Sequence, residues 1–384
     1  MLQNLLLFYF FLFALFDQST CFRNTRPNHG RRIRGMFVFG SSLVDNGNNN
    51  FLMNTRARVD YLPYGVDFPH GPSGRFTNSK NVVDILGEKL KLPGYIPPFN
   101  DPSTNGTKIL HGVNYASGGS GILDDTGALA GDVISLNQQI RNFERVTVPD
   151  LEQQLGVKSS SKNKNKSKSK RRRRILSEEF LFVVGSGGND YSFNYFLGLV
   201  NSNITIEAFT ANLTTTLSNQ LKRLHKLGAR KFVLMAIYPN GCSPMATARV
   251  PTSNGCVESL NRAAQMFNVQ LKNLVDNIRP KMPGSNLVFV NAYKIIIDIV
   301  RSPRLRGFRD VYNTCCEVTP ISQGGTGVLC KRGGSVCPNR KKYVYFDGLH
   351  PTEAVNDIIA KKAFISKRKD EVYPFNVKKL CHVI

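Results

Sequence analysis

Short apolar runs alternate with stretches of helical periodicity along most of this 384-residue chain, and this alternation narrows the choice of fold. Runs suited to buried strands occur at 36–39, 112–116, 180–184, 232–237, 287–291 and 343–346. Helices are predicted at 81–90, 136–143, 257–278 and 352–364, and another carries Leu213, Leu217, Leu221 and Leu224 on one face and ends at Gly228. Strands that are apolar on both faces and separated by helices predict a parallel sheet covered by helices on either side.

The amino-acid composition is that of an ordinary globular protein. Hydrophobic residues make up 41% of the chain and charged residues 20%, which argues against wholesale disorder. Compact α/β proteins of this size often keep one continuous core, so we predict a single large domain.

The N-terminus predicts a secretory leader. An apolar run from Leu5 to Phe16 is followed by polar residues and Cys21, which is the anatomy of a signal peptide. A membrane span needs about 20 apolar residues, and this run is shorter. We therefore predict a signal peptide at 1–21, a mature domain at 22–384 and an extracellular location. Four glycosylation sequons fit this route, at Asn105, Asn165, Asn203 and Asn212.

The eight cysteines include no C-x-x-C pair, so a zinc ribbon or a thioredoxin-like site is not expected. In an oxidising compartment, the four cysteines Cys315, Cys316, Cys330 and Cys337 predict two disulfides in one loop, with the connectivity left open. Cys242 is expected to pair with Cys256. Cleavage near Cys21 leaves an odd number, which predicts a free thiol at Cys381.

The formal net charge of +24 is partly local, because residues 158–174 include ten basic and no acidic side chains. This Ser/Lys/Asn tract predicts a solvated, disordered insertion. It is interpreted as a passive loop, as a contact for an anionic cell wall or lipid surface, or as a nuclear or nucleic-acid signal. The secretory leader argues against the last interpretation, so no nucleic-acid partner is expected.

Small and polar residues follow several predicted strands. They lie at 40–42, 117–119 and 187–190, and Asp347 and His350 follow the run at 343–346. Because sites in parallel α/β sheets form at the carboxyl ends of the strands, these residues are expected to meet at one edge.

Each of these features also has an ordinary structural interpretation. Ser42 is predicted in a turn before a helix, where the electrostatic field of the helix N-terminus would favour a nucleophile. A serine at this place can equally be the N-cap of that helix. Asp347 can hold the imidazole of His350 ready to deprotonate a serine, or the pair can be a helix cap beside a surface histidine. Asn189 can stabilise an oxyanion or simply belong to a turn. Their joint occurrence, in chain order at one predicted edge, favours catalysis.

Together the motifs resemble the plant GDSL esterase/lipase family of the SGNH hydrolase superfamily, from about Met36 to the C-terminus. The matching segments are FVFGSSLVDNGNN at 37–49, YGVDFP at 64–69, GRF at 74–76, GVNYASGG at 112–119, GNDY at 188–191, GC at 241–242, CC at 315–316 and DGLHPT at 347–352.

The resemblance implies a flavodoxin-like, three-layer α/β/α fold and a serine esterase or lipase. Ser42 would be the nucleophile, with Asp347 and His350 completing the triad. The oxyanion hole would consist of the backbone N–H groups of Ser42 and Gly119 and the side chain of Asn189. Gly118 is the alternative to Gly119. Carboxylic esters of lipids or other acyl compounds would be hydrolysed through an acyl-enzyme, without a metal or cofactor.

The chain departs from the family pattern in three places. Ser41 stands where the name-giving motif has an aspartate, Phe346 stands where a tryptophan is usual, and the basic insertion is additional. Two other functions remain open: a catalytically silent extracellular binding protein, and an acyltransferase that uses the same triad. A standard α/β-hydrolase is disfavoured, because the chain has no G-x-S-x-G motif.

Overall fold

The computed structural model describes residues 33–155 and 164–383, so the predicted signal peptide lies outside the described residues. Its strands are β1 (Gly35–Gly40), β2 (Gly112–Asn114), β3 (Phe180–Gly185), β4 (Lys231–Met235), β5 (Asn286–Val290), β6 (Asp310–Thr314), β7 (Tyr343–Tyr345) and β8 (Val372–Tyr373). Its α-helices are α1 (Val82–Lys89), α2 (Leu136–Asn142), α3 (Val148–Gln154), α4 (Lys164–Glu179), α5 (Gly188–Ser192), α6 (Ile206–Leu227), α7 (Pro244–Arg249), α8 (Glu258–Asn277), α9 (Ala292–Arg301), α10 (Glu353–Ile365) and α11 (Val377–His382).

Six strands form the central sheet in the order β2-β1-β3-β4-β5-β8. The first five are parallel to one another, and β8 pairs antiparallel with β5. In the register of the central pair, Gly40 lies opposite Gly185, so β1 and β3 end at the same level. The predicted parallel sheet is confirmed, and the loops that leave β1, β2 and β3 emerge together at its carboxyl edge.

Each face of the sheet has its own hydrophobic core, because successive side chains of a strand point to opposite faces. On β1, Phe37 and Phe39 pack into one core with residues of α2, α6 and α8. Met36 and Val38 pack into the other with residues of α1, α9, α10 and α11. The result is the three-layer α/β/α fold expected from the sequence.

The position of the strand-like run at 343–346 was predicted wrongly. Instead of extending the central sheet, β7 pairs in parallel with β6 in a separate two-stranded sheet. The place beside β5 is taken by β8, a two-residue strand too short to show in the sequence pattern. Asp347 and His350 therefore approach the edge of the central sheet from outside it.

The basic tract is helical from residue 164 onward, whereas the sequence predicted disorder. Residues 164–174 form the start of α4, while residues 158–163 lie outside the described residues. Lysine and arginine are good helix formers, so a run of them can continue a helix that is anchored elsewhere. Here the anchor is Ile175 and Leu176, which are buried in the core, together with an ion pair of 2.6 Å between Arg172 and Glu152.

Three disulfides lie among the described residues. Cys242 pairs with Cys256 as predicted, and the open connectivity resolves to Cys315–Cys337 and Cys316–Cys330. Cys381 is a free thiol, and burial raises its pKa to about 11. Across the described ranges, no helix is both long and apolar enough to span a membrane.

Candidate active site

Ser42 lies in a turn directly after β1. Its neighbour Ser41 is held by two backbone bonds: the Ser41 N–H donates to Gly185 O, and Ser41 O accepts from the Val44 N–H. No α-helix begins at Ser42, so the predicted helix N-terminal field is absent there. The position of the hydroxyl is set by the strand end and this turn.

The hydroxyl of Ser42 meets the imidazole of His350. Their Oγ and Nε2 atoms are 2.8 Å apart, and Nδ1 of the same ring lies 2.8 Å from Oδ2 of Asp347. Ser42, His350 and Asp347 are all buried. Residues predicted from two distant parts of the sequence therefore form one continuous hydrogen-bonded chain.

The Asp347 carboxylate is fixed from every side. Its Oδ1 accepts the backbone N–H groups of Leu349 and His350 at 2.8 and 2.7 Å, closing a tight turn that brings the imidazole back to its own carboxylate. This turn explains the three-residue spacing between acid and histidine in the sequence. Oδ2 of Asp347 contacts Nδ1 of His350, the third donor, and the hydroxyl of Tyr64, the fourth, which lies 2.7 Å away.

Tyr64 is a site residue that reasoning from the sequence did not single out. Its ring is fully buried and makes edge contacts with Phe346 and Phe76, while Phe76 lies against the imidazole of His350. The Tyr64 oxygen also accepts the backbone N–H of Cys330 at 3.0 Å. Because 283 positions separate Tyr64 from Asp347, no local sequence pattern predicts the hydrogen bond between them.

On the opposite side of Ser42, backbone donors face a pocket. Among the described residues, the N–H groups of Ser42 and Gly119 have no hydrogen-bond acceptor. Gly119 adopts φ +86°, a left-handed conformation that other residues rarely adopt. The N–H of Gly118, by contrast, donates to Asp45 at 2.9 Å, so of the two predicted glycines only Gly119 offers a free donor.

Asn189 is the second residue of α5, just after the turn that leaves β3, and it borders the same pocket as Ser42 and Gly119. Its Nδ2 donates one hydrogen bond to Ser120 O at 2.9 Å, which fixes the orientation of the amide. The second hydrogen of Nδ2 is left for another acceptor.

Two fully buried carboxylates hold the donor loops. Asp45 accepts the N–H groups of Gly47, Asn48 and Gly118, and Asp190 accepts those of Ile122 and Leu123 with the hydroxyl of Thr126. Burial raises the pKa of each carboxyl to about 6, against the lowering effect of these hydrogen bonds. Asp190 thus ties the loop of Gly119 to the segment that carries Asn189.

A cavity of about 220 Å³ opens beside these groups. Its wall includes Ser42, Gly119, Asn189 and His350, and its apolar side chains include Leu129, Phe193, Leu197, Val328 and Leu329. The site therefore combines a hydroxyl next to a base, three hydrogen-bond donors and an apolar recess. In the ranges that the structure describes, no group of three or more His, Cys, Asp or Glu side chains is arranged to hold a metal ion.

Comparison with known proteins agrees with this geometry. The family model described as GDSL-like lipase/acylhydrolase matches residues 36–363. The chain belongs to the GDSL lipase/acylhydrolase family. GDSL esterase/lipase At1g29670 of Arabidopsis thaliana is 40% identical over 90% of this chain and 91% of its own length. A second relative from that plant, GDSL esterase/lipase At4g16230, is 37% identical over 92% of both chains.

As a member of the GDSL family, the chain is a carboxylic ester hydrolase, and its substrate is an acyl ester. Two of the three departures from the family pattern, Ser41 and Phe346, lie next to the site. Ser41 precedes Ser42 but contacts neither His350 nor Asp347 through any hydrogen bond of the described residues. Phe346 is fully buried against Tyr64 and so keeps an aromatic side chain beneath the Asp347 loop.

Proposed function

We propose that the chain is a secreted serine esterase or lipase that hydrolyses carboxylic esters through an acyl-enzyme on Ser42. The observation that carries the proposal is the 2.8 Å contact between Ser42 Oγ and His350 Nε2, with Nδ1 of the same ring on Asp347. This is the arrangement in which a histidine acts as general base towards a serine.

In the first half-reaction, Nε2 of His350 takes the Ser42 proton while Oγ attacks the ester carbonyl. The N–H groups of Ser42 and Gly119 and the free amide hydrogen of Asn189 stabilise the oxyanion. Collapse of the tetrahedral intermediate breaks the C–O bond, and His350 returns the proton to the leaving alcohol. Water, deprotonated by His350, then attacks the acyl-enzyme, and the acid leaves with Ser42 restored.

The wall of the cavity supports an acyl compound as substrate. Its apolar residues include Leu129, Phe193 and Leu197, together with Val328 and Leu329 from the loop closed by the disulfide Cys316–Cys330. Apolar side chains around a few polar groups are typical of a site that binds an apolar chain or ring.

Secretion is supported by three independent features. Residues 1–21 have the sequence of a signal peptide. Three disulfides are typical of an oxidising compartment. The sequons at Asn105, Asn203 and Asn212 lie at exposed positions, where a glycan can be accommodated.

The direct test uses two neighbouring serines. Short-chain p-nitrophenyl esters should be hydrolysed by the mature protein, and Ser42→Ala should lose several orders of magnitude in kcat/KM. The matched control is Ser41→Ala, which removes a hydroxyl one residue away. A fluorophosphonate probe should label wild type and the control but not Ser42→Ala. Full activity of Ser42→Ala, or no labelling of the wild type, would refute the proposal.

A further inference from the structure

The cavity beside Ser42 contains an uncompensated positive charge. Two arginines, Arg56 and Arg249, belong to its wall, whereas none of its lining residues is an aspartate or glutamate. Both arginines are exposed, and both stand among the apolar side chains described above. The pocket thus pairs an apolar recess with two guanidinium groups.

Arg56 differs sharply from its neighbour Arg58. The guanidinium of Arg58 forms a fork-like ion pair with Asp60, with contacts between 2.6 and 3.0 Å. Arg56 is tied to the fold through its backbone N–H, which donates to Ala130 O at 2.7 Å. Its guanidinium has no hydrogen bond or ion pair with any described residue, so its five donors are available to a ligand.

Arg249, the last residue of α7, is the second arginine of the wall. Within the described part of the chain, the only hydrogen bond of its guanidinium is a long one, 3.3 Å from Nη2 to the backbone carbonyl of Thr326. A carbonyl oxygen leaves the positive charge unneutralised. Arg249 can therefore turn towards an anion in the pocket at the cost of one weak contact.

Guanidinium groups bind carboxylates and phosphates through parallel hydrogen bonds, and nearby apolar walls strengthen such pairs by excluding water. We propose that the esters this site prefers carry an anionic group, a carboxylate or a phosphate, next to an apolar chain or ring. This inference rests on the esterase function proposed above. It assigns the anionic group to Arg56 and Arg249 and the apolar part to the recess around Leu197 and Val328.

The first experiment uses a matched pair of soluble esters, 4-acetoxybenzoate and the neutral 4-acetoxybenzamide, with acetate release as the readout. The wild type should show a several-fold higher kcat/KM for the anionic ester, as expected for pairing with partly exposed arginines. The anionic-to-neutral ratio should fall towards 1 in the double variant Arg56→Gln/Arg249→Gln. Added 0.5 M salt should lower the ratio of the wild type, because exposed charge pairs are screened.

The control is Arg145→Gln, which removes the same charge from an exposed position outside the pocket. It should keep the wild-type ratio, which separates a local site from attraction by the overall positive charge of the protein. Thermal melting of each variant checks that it is folded. A wild-type ratio near or below 1, or an unchanged ratio in the double variant, would exclude a soluble carboxylate as the anionic group, and the same result with the lipid pair described next would overturn the inference.

A second pair distinguishes the two sources of the anion. Phosphatidic acid and diacylglycerol, each in micelles of a neutral detergent, test a phosphate headgroup in the same variants. Arginine-dependent preference for phosphatidic acid assigns a lipid phosphate, and preference restricted to 4-acetoxybenzoate assigns a soluble carboxylate. Absence of both preferences overturns the inference, whereas failure to hydrolyse even the neutral esters counts against the esterase function itself.

Discussion

The two sides of Ser42 differ in whether their hydrogen-bonding groups already have partners. On the acid–base side, Asp347 receives hydrogen bonds from Tyr64, from two backbone N–H groups and from His350, and is completely buried. On the donor side, the N–H groups of Ser42 and Gly119 have no acceptor among the described residues and face a cavity. The first side is complete without a ligand. The second side lacks an acceptor, and the function proposed above assigns this place to an oxyanion.

This difference separates two kinds of contribution to catalysis. A saturated set of hydrogen bonds fixes orientation, so its loss should show as misplacement of the histidine. Unpaired donors stabilise charge that appears only in the transition state, so their loss should lower kcat more than it weakens substrate binding. Substitutions on each side can be ranked by these expectations.

The largest effect after loss of the nucleophile is expected from Asp347→Asn. An amide in place of the carboxylate turns one acceptor into a donor, and the imidazole then favours the tautomer that cannot accept the Ser42 proton. We expect kcat to fall by about 10⁴-fold, as for other triads in which the acid becomes an amide. Steady-state kinetics with p-nitrophenyl butyrate measures it. A fall of less than tenfold would mean that Asp347 does not orient His350.

Removal of a donor should cost less. For Asn189→Ala we expect kcat to fall by about 10²–10³-fold, the range for one oxyanion-hole donor. KM should change little, because the bond strengthens as the oxyanion forms. A rise in KM with unchanged kcat would instead assign Asn189 to ground-state binding and break the contrast between the two sides.

Tyr64→Phe tests the support beneath the triad. The ring contacts with Phe346 and Phe76 remain, while Asp347 loses one donor and the N–H of Cys330 loses its acceptor. We expect kcat to fall by about tenfold, the equivalent of one hydrogen bond of about 1.4 kcal/mol. The loss should appear in kcat rather than in KM, because Tyr64 acts on the substrate only through Asp347 and His350.

Tyr61→Phe is the matched control for this variant. The Tyr61 hydroxyl donates to the carbonyl of the same Cys330 at 2.8 Å but makes no hydrogen bond to Asp347. Both variants therefore remove one hydrogen bond to Cys330. Only Tyr64→Phe also removes a hydrogen bond to Asp347. Equal losses of kcat in the two variants would assign Tyr64 a purely structural role.

The sequence predicts the donor side and the triad members but not what supports them. Ser42, Gly119 and Asn189 follow strands whose apolar pattern is local, so their meeting at one edge is predictable from strand order alone. The Asp347 turn is also local, since its donors lie two and three residues away. Tyr64 and the clamp of Asp190 on Thr126 depend on contacts between distant segments, which neither periodicity nor motif spacing encodes.

The placement of β7 shows the same limit for the fold. Its apolar run at 343–346 has the pattern of a central strand, yet β6 is its partner. Pattern predicts that a segment is a buried strand, whereas the identity of its neighbour is decided by tertiary packing, here with the loop of Cys315 and Cys316 beside it.

The remaining expected effect concerns stability rather than rate, and it applies to the donor side alone. The pKa of Asp190 and that of Asp45 are raised by burial from 3.8 to about 6. Between these pH values the folded chain binds protons that the unfolded chain has released. The free energy of unfolding contributed by these groups is therefore highest below about pH 4 and falls as pH rises to about 6, by a few kcal/mol at most.

Asp190→Asn isolates this contribution, because the amide does not titrate. Its urea midpoints, measured between pH 4 and 7, should fall less steeply with pH than those of the wild type. The variant should be less stable overall, because its NH₂ group is placed against buried N–H donors. Asp370→Asn is the control, since the pKa of this exposed carboxyl is lowered by Arg368 and it titrates below the window. If Asp190→Asn kept the wild-type slope, the loop of Gly119 would not depend on a protonated carboxyl, and the two sides of Ser42 would respond alike to pH.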